Sequence, residues 1–83
     1  MFLEVITPQK TVFSGEVNLV KVPGSNGSFE ILKNHAPVIS TLSPGELKFD
    51  VDGGQIIHYR TGTGVVEVKQ NRITVLVDTI EQK

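Results

Sequence analysis

The residues that could do chemistry in this 83-residue chain are two histidines, nine acidic residues and a handful of serines. His35 and His58 have no cysteine to join them, and a zinc site needs three or four converging nitrogen, sulfur or oxygen ligands. The acidic residues are scattered over polar positions and turns, and no serine has the context of a nucleophile elbow. These patterns predict no metal site, no cofactor and no catalytic residue.

A glycine-rich segment, residues 23–28, has the composition of a phosphate-binding loop but not its pattern. It lacks the Gly-Lys-Ser/Thr ending, and the residues after it have the pattern of a strand. No helix N-terminus is therefore available to bind an anion. We predict an exposed loop whose glycines allow positive φ angles. A loop of this kind, carried on a rigid sheet, is well placed to contact a binding partner.

Residues 33–37, Lys-Asn-His-Ala-Pro, predict a sharp corner. Pro37 disfavours the helical conformation at Ala36, and Asn34 tolerates left-handed backbone geometry. His35 should therefore point in a defined direction. Two roles remain open for its side chain, a local hydrogen-bond anchor or a contact at the edge of the sheet.

The elements that position these residues are predicted to be short strands. Apolar and polar residues alternate along most of the chain, and no ten-residue window has the 3.6-residue period of a capped helix. Turn signals recur roughly every eight to twelve residues, among them Ser14-Gly15, Asp52-Gly53-Gly54 and a tip at Gln70-Asn71. The prediction is one all-β domain over residues 1–83, a flattened antiparallel sandwich or barrel of about ten short strands.

Composition excludes several classes of function. The net charge of −1 and the isoelectric point near 6.0 argue against nucleic-acid binding, which requires a basic surface. No apolar stretch approaches the roughly 20 residues that span a bilayer, so we expect no direct membrane insertion. The N-terminus also lacks the basic and apolar regions of a signal peptide.

Six motifs in order carry a resemblance to a known family. They are Thr7-Pro8 with Val12-Phe13-Ser14-Gly15, Val22-Pro23-Gly24-Ser25-Asn26-Gly27-Ser28-Phe29, Asn34-His35-Ala36-Pro37-Val38-Ile39, Leu42-Ser43-Pro44-Gly45, Gly62-Thr63-Gly64-Val65-Val66-Glu67-Val68 and Val75-Leu76-Val77-Asp78-Thr79. Any one motif is weak, but their order and separations together are specific. The chain resembles the N-terminal β-sandwich domain of the F-type ATP synthase epsilon subunit (delta in mitochondria) over almost its whole length.

This resemblance implies a ten-stranded flattened sandwich that belongs to the central stalk of the rotary enzyme. It implies a subunit without catalytic residues that binds the gamma subunit and the c-ring, turns with them, and couples proton translocation to ATP synthesis. The implied location is the cytoplasmic face of the bacterial inner membrane, as a peripheral part of the complex. The family positions that face gamma match Thr7, His35 and Ser40, and those that face the c-ring match Ser25, Asn26, Gly27 and Ser28.

Two departures from the family pattern limit what the resemblance implies. Many relatives carry an acidic residue at the position of Ser28, where this chain offers a hydroxyl that can donate and accept hydrogen bonds. Typical bacterial relatives also continue into a C-terminal helical hairpin that inhibits ATP hydrolysis, whereas this sequence stops at Lys83. We therefore expect neither the hairpin nor its inhibitory and ATP-binding activities here. A short natural form and a truncated one would have the same sequence.

Two other classes of function compete with this interpretation. A free-standing β-sandwich that binds carbohydrate or peptide would present an aromatic platform, but the five aromatic residues fall mostly within strands. A small hydrolase would need a cleft and a catalytic constellation that the sequence does not indicate.

Overall fold

The computed structural model describes residues 1–51 and 53–83, and its regular structure is entirely β. Asp52, part of the predicted Asp52-Gly53-Gly54 hairpin, lies outside the described residues. The all-β prediction is confirmed, with nine strands in the described ranges where about ten were expected. The strands are β1 Phe2–Ile6, β2 Thr11–Val22, β3 Phe29–Leu32, β4 Val38–Leu42, β5 Gly45–Val51, β6 Gln55–Thr61, β7 Gly64–Lys69, β8 Arg72–Val77 and β9 Ile80–Gln82.

The strands form two sheets that share the long strand β2. The first sheet has the order β4-β7-β8-β1-β2, and its β2 segment runs from Thr11 to Glu16. The second sheet contains the rest of β2 with β3 on one side and β5, β6 and β9 in order on the other. Because β2 passes from one sheet to the other, the two sheets belong to one continuous body.

One neighbouring pair of strands departs from the predicted antiparallel arrangement, because β1 and β8 are parallel. The other pairs among the described strands are antiparallel. A two-residue alternation identifies which face of a strand is apolar but not the direction in which its neighbour runs. The sequence therefore predicted the all-β class correctly and missed this orientation.

The predicted turn at Ser14-Gly15 is wrong, because both residues lie inside β2 and pair with β1. A β carbon at Gly15 would lie 3.3 Å from the ring of Phe13, a tight contact that the ring would have to relieve by a small shift. The change of sheet occurs further along, at an irregularity in register between Val17 and Leu19. An extra residue at such a point bends the strand, and the side chain of Asp50 accepts a 3.2 Å hydrogen bond from the displaced Asn18 N–H.

The core lies between the inner faces of the two sheets. Phe49 is at its centre, with its ring centroid 4.6 Å from that of Phe13 and 6.2 Å from that of Tyr59. The fully buried apolar side chains come from β1, β2, β3, β5, β7 and β8, with Leu42 of β4 almost completely buried. Contributions from nearly every strand make the sandwich a single packed body that can present its two outer faces in a fixed relation.

Two turn predictions are confirmed by backbone angles. Gln70 and Asn71 both have positive φ, 51° and 60°, as the tight turn between β7 and β8 requires. Asn34 has a φ of 65° and so occupies the left-handed region predicted for the corner. These conformations are ones that asparagine adopts more readily than most residues.

Candidate interaction surfaces

The glycine loop, residues 24–28, forms a compact exposed turn. The N–H of Gly27 donates a 2.9 Å hydrogen bond to the carbonyl of Gly24, and Gly27 itself has a φ of 122°. Ser25, Asn26, Gly27 and Ser28 are all exposed, so the structure brings the four predicted residues of this site together on one projecting loop.

The base of the glycine loop is anchored to the end of β4. The N–H of Ser25 donates to the carbonyl of Thr41 at 3.0 Å, and the Thr41 hydroxyl donates to the Ser25 hydroxyl at 2.8 Å. Gly24, the first residue of the loop, is buried, and a β carbon there would approach the carbonyl of Gly27 to 2.7 Å and the ring of Phe29 to 2.8 Å. The exposed residues are therefore carried on a closely packed base.

The His35 corner, residues 33–37, lies at the opposite end of β4. The His35 N–H donates to the carbonyl of Leu32 at 3.1 Å, and its ring Nδ1 lies 2.7 Å from the carbonyl of Ala36. Since a carbonyl can only accept, Nδ1 donates, and Nε2 is the ring atom left to meet a partner. The local hydrogen-bond role considered for this histidine is thus present, and the half-buried ring also lies at the edge strand of the sheet.

Asn71 holds this corner, and sequence reasoning overlooked it. Its side-chain carbonyl accepts a 2.6 Å hydrogen bond from the backbone N–H of Asn34. Its amide nitrogen donates a 2.9 Å bond to the side-chain oxygen of Asn34. The only signal in the sequence was that both residues occupy predicted turns, and it does not indicate that the turns meet.

Thr7 is almost completely buried, and its hydroxyl closes the turn after β1. The hydroxyl donates to the carbonyl of Lys10 at 3.2 Å and accepts from the Lys10 N–H at 3.3 Å, while the Thr7 N–H donates to the same carbonyl at 2.9 Å. The side chain of Thr7 thus stabilises this turn and does not project from its surface.

Ser40 lies on the core-facing side of β4. It pairs with Val66, which is fully buried, and directly paired residues point to the same face of a sheet. Its hydroxyl donates to the carbonyl of Thr41 at 3.0 Å. The neighbours that point outward are Ile39 and Thr41, both exposed.

Thr7, His35 and Ser40 do not form one cluster. The corner precedes Val38 at one end of the first sheet, whereas Thr7 follows Ile6 towards the other end. Thr7 is also separated from His35 and Ser40 by the three strand spacings between β1 and β4, or roughly 14 Å. Any partner that touches all three must lie across the sheet and not against a single loop.

The outer face of the first sheet carries an apolar surface that sequence reasoning missed. A row of paired residues crosses four strands, from Thr41 through Val65 and Leu76 to Ile6. Ile39 lies beside this row and is 72% exposed, compared with 48% for Leu76 and 36% for Val65. We call Ile6, Ile39, Val65 and Leu76 the apolar face. Its signal was the loss of alternation in Val38-Ile39, Val65-Val66 and Val75-Leu76-Val77.

Shallow hollows flank the apolar face. One of about 350 Å³ is lined by Thr7, Pro8, Val65 and Leu76 among others. A second of about 370 Å³ lies between Ile39 and the neighbouring part of β7. Each is open to solvent, so these are surface depressions that suit protruding side chains of a protein partner better than an enclosed small molecule.

The outer face of the second sheet carries charged side chains as well as the exposed Leu32 and Ile56. Glu46 accepts hydrogen bonds from His58 Nδ1 at 2.9 Å and from Lys83 Nζ at 3.2 Å. These two contacts lower the pKa of Glu46 below its ordinary value of 4.5, and the hydrogen bond from His58 has the largest effect. His58 of β6 therefore contacts a side chain of the neighbouring strand β5.

Residues 1–51 and 53–83 contain no group of three or more His, Cys, Asp or Glu side chains arranged to hold a metal ion. The same residues include no helical segment with the length and hydrophobicity of a membrane span.

Comparison with known proteins agrees with the motif order in the sequence. The family model described as "ATP synthase, Delta/Epsilon chain, beta-sandwich domain" matches residues 1–83. An ATP synthase epsilon chain from Anaeromyxobacter sp. (strain K) is 43% identical over 79 residues, which cover 95% of this chain and 59% of that relative. The epsilon chain of Desulforamulus reducens is 41% identical over 80 residues, covering 96% and 60%. The chain thus spans about three fifths of the length of these curated relatives.

Solved structures show the same fold at low sequence identity. A chain in the Euglena gracilis mitochondrial ATP synthase, in an assembly that includes the c-ring, superposes with a TM-score of 0.90 at 18% identity, covering 96% of this chain and 51% of that one. A chain in the central stalk and c-ring of the Tetrahymena thermophila mitochondrial ATP synthase superposes with a TM-score of 0.83 at 19% identity, covering 99% and 66%.

Proposed function

Because the chain belongs to the family of ATP synthase delta/epsilon-chain β-sandwich domains, we propose that it is a non-catalytic subunit of the central stalk that binds gamma and the c-ring. In this role it turns with both partners and couples proton translocation to ATP synthesis. Its location is then peripheral, on the cytoplasmic face of the bacterial inner membrane. The observation that carries the proposal is the family match over all 83 residues.

We assign gamma to the outer face of the first sheet. The apolar face is bordered by the His35 corner at one end and by the Thr7 turn at the other, and Ser40 lies on its edge strand. Exposed apolar side chains that form a continuous row are typical of a surface that another protein covers. A contact across the whole face also accounts for the wide spacing of Thr7 and His35, whereas Ser40, which points towards the core, would meet gamma only at the edge of β4.

We assign the c-ring to the glycine loop, with contacts from Ser25, Asn26, Gly27 and Ser28. The loop and the His35 corner project from opposite ends of β4, which separates its terminal residues by roughly 13 Å. Two partners can therefore be held at once without competing for the same residues. Hydroxyl, amide and backbone groups on the loop suit a polar partner surface.

A pair of substitutions tests the two contacts separately. His35→Trp should weaken binding to purified gamma and leave c-ring binding unchanged, because the added bulk lies at the corner alone. Ser28→Lys should weaken binding to the purified c-ring and leave gamma binding unchanged. The matched controls are His58→Trp, on the second sheet, and Gln55→Lys, at the end of β6 remote from the glycine loop.

Affinities measured by pull-down and calorimetry decide between the outcomes. The proposal fails if the wild-type protein binds neither partner, or if both site substitutions behave like their controls. As an independent check, the endogenous protein should migrate with the large ATP synthase complex when native membranes are solubilised. A free-standing binding module or a small hydrolase would migrate alone.

A further inference from the structure

Two asparagines in left-handed backbone conformations join the His35 corner to the turn between β7 and β8. Asn34 and Asn71 are separated by 37 positions in the chain, and each supplies hydrogen-bonding groups to the other. The two bonds, at 2.6 Å and 2.9 Å, are compatible with a single orientation of the Asn71 amide, with oxygen towards the Asn34 N–H and nitrogen towards the Asn34 side chain. We call this pair the asparagine clasp.

The clasp is unusual because it lies at the surface, where water could satisfy the same groups. Ordering exposed side chains costs conformational entropy, so such a pair is not explained by a need to satisfy buried polar atoms. Neither turn requires it, since the β7–β8 turn and the bend at Asn34 are closed by their own backbone bonds. The two turns nevertheless meet through these specific bonds.

The clasp is the corner's hydrogen-bonded link to a distant part of the chain. Within the described ranges, the other hydrogen bonds of residues 33–37 are local, from the His35 N–H to Leu32 and from the His35 ring to Ala36. Asn71 in turn is fixed to the sheet, because its backbone carbonyl accepts a 2.9 Å hydrogen bond from the Phe2 N–H. A change at Asn71 would therefore release the corner without disturbing the strands.

We propose that Asn71 is a positioning residue of the gamma interface, and that the asparagine clasp presents His35 in its binding orientation before gamma arrives. The inference rests on the proposed contact between the corner and gamma. Its physical basis is preorganisation, because a corner already ordered in the free protein loses less freedom on binding. Asn71 needs no contact with gamma to have this effect.

The test compares two glycine substitutions in the same turn. Asn71→Gly keeps the left-handed conformation and removes the clasp, whereas Gln70→Gly makes the same change at a neighbour that also has positive φ. Among the described hydrogen bonds the Gln70 side chain takes part in none, which makes it a matched control. Asn71→Asp is a second variant, which keeps the acceptor for the Asn34 N–H but places an oxygen where the donor was.

We expect Asn71→Gly to weaken gamma binding about three- to tenfold and Gln70→Gly to leave it within twofold of wild type. The affinity of Asn71→Asp for gamma should lie between those of Asn71→Gly and Gln70→Gly. The free Asn71→Gly protein should show faster hydrogen exchange at the His35 amide. Binding to the c-ring should remain unchanged in all three variants, which separates loss of position from general loss of structure.

Two results would overturn the inference in distinguishable ways. If wild type binds gamma and Asn71→Gly binds as tightly as Gln70→Gly, the clasp does not position the corner and the proposed function stands. If wild type does not bind gamma, the proposed function fails and this inference fails with it.

Discussion

Replacing Ile39 by alanine is expected to weaken binding to gamma about tenfold. Ile39 is 72% exposed, so a partner that covers the apolar face would bury most of a side chain that folding leaves in water. Fully burying an isoleucine contributes roughly 1.5–3 kcal/mol, and the exposed share therefore contributes on the order of 1–2 kcal/mol to binding. Since about 1.4 kcal/mol corresponds to a factor of ten in affinity, the loss should be easy to measure.

The assay is titration calorimetry of the folded variant into purified gamma, with urea unfolding as a check on stability. The control is Ile56→Ala, because Ile56 is also an exposed strand isoleucine, 54% exposed, but lies in the second sheet. Both variants should lose similar, small amounts of folding stability. Equal affinity of Ile39→Ala and wild type, or an equal loss in Ile56→Ala, would refute the assignment of gamma to this face.

Two further substitutions test the packing and electrostatics of the domain itself. Gly64→Ala should lower the free energy of unfolding by about 2–3 kcal/mol, since its β carbon would collide with the backbone carbonyl of Leu76; an unchanged urea midpoint would contradict this. For Glu46→Gln, the stability difference from wild type should be largest above about pH 5 and shrink as the pH falls. Hydrogen bonds from His58 and Lys83 lower the pKa of Glu46 in the folded protein, so the stability that the Glu46 carboxylate contributes is lost as the pH falls through this lowered pKa. Urea unfolding of both proteins across this pH range measures the stability difference. A difference that grows towards acidic pH would contradict the reasoning.

Local features of the fold were predictable because their causes are local. The turn at Gln70-Asn71 and the left-handed Asn34 follow from which residues tolerate positive φ, and both appear as predicted. The failed turn at Ser14-Gly15 shows the limit of this reasoning. There a serine and a glycine continue a strand by pairing with Glu4 and Leu3 of β1, a contact that residue types alone do not indicate.

The sequence located the glycine loop better than it located the candidate residues on the first sheet. The glycine loop could be found from the sequence because its four exposed residues are contiguous and share one turn. The residues predicted to face gamma were carried over by resemblance, and the sequence could not indicate that Ser40 lies on the core-facing side while Ile39 points outward. That distinction depends on which residue of β7 each one pairs with.

The amino-acid sequence by itself determined an all-β domain, the positions of most strands and two of its turns, because alternation and backbone preference act over a few residues. Only the tertiary structure decided that β1 runs parallel to β8, that four strands combine into an apolar face, and that Asn34 meets Asn71. These features join segments distant in the chain, and such pairings are selected by which faces the whole sandwich buries together.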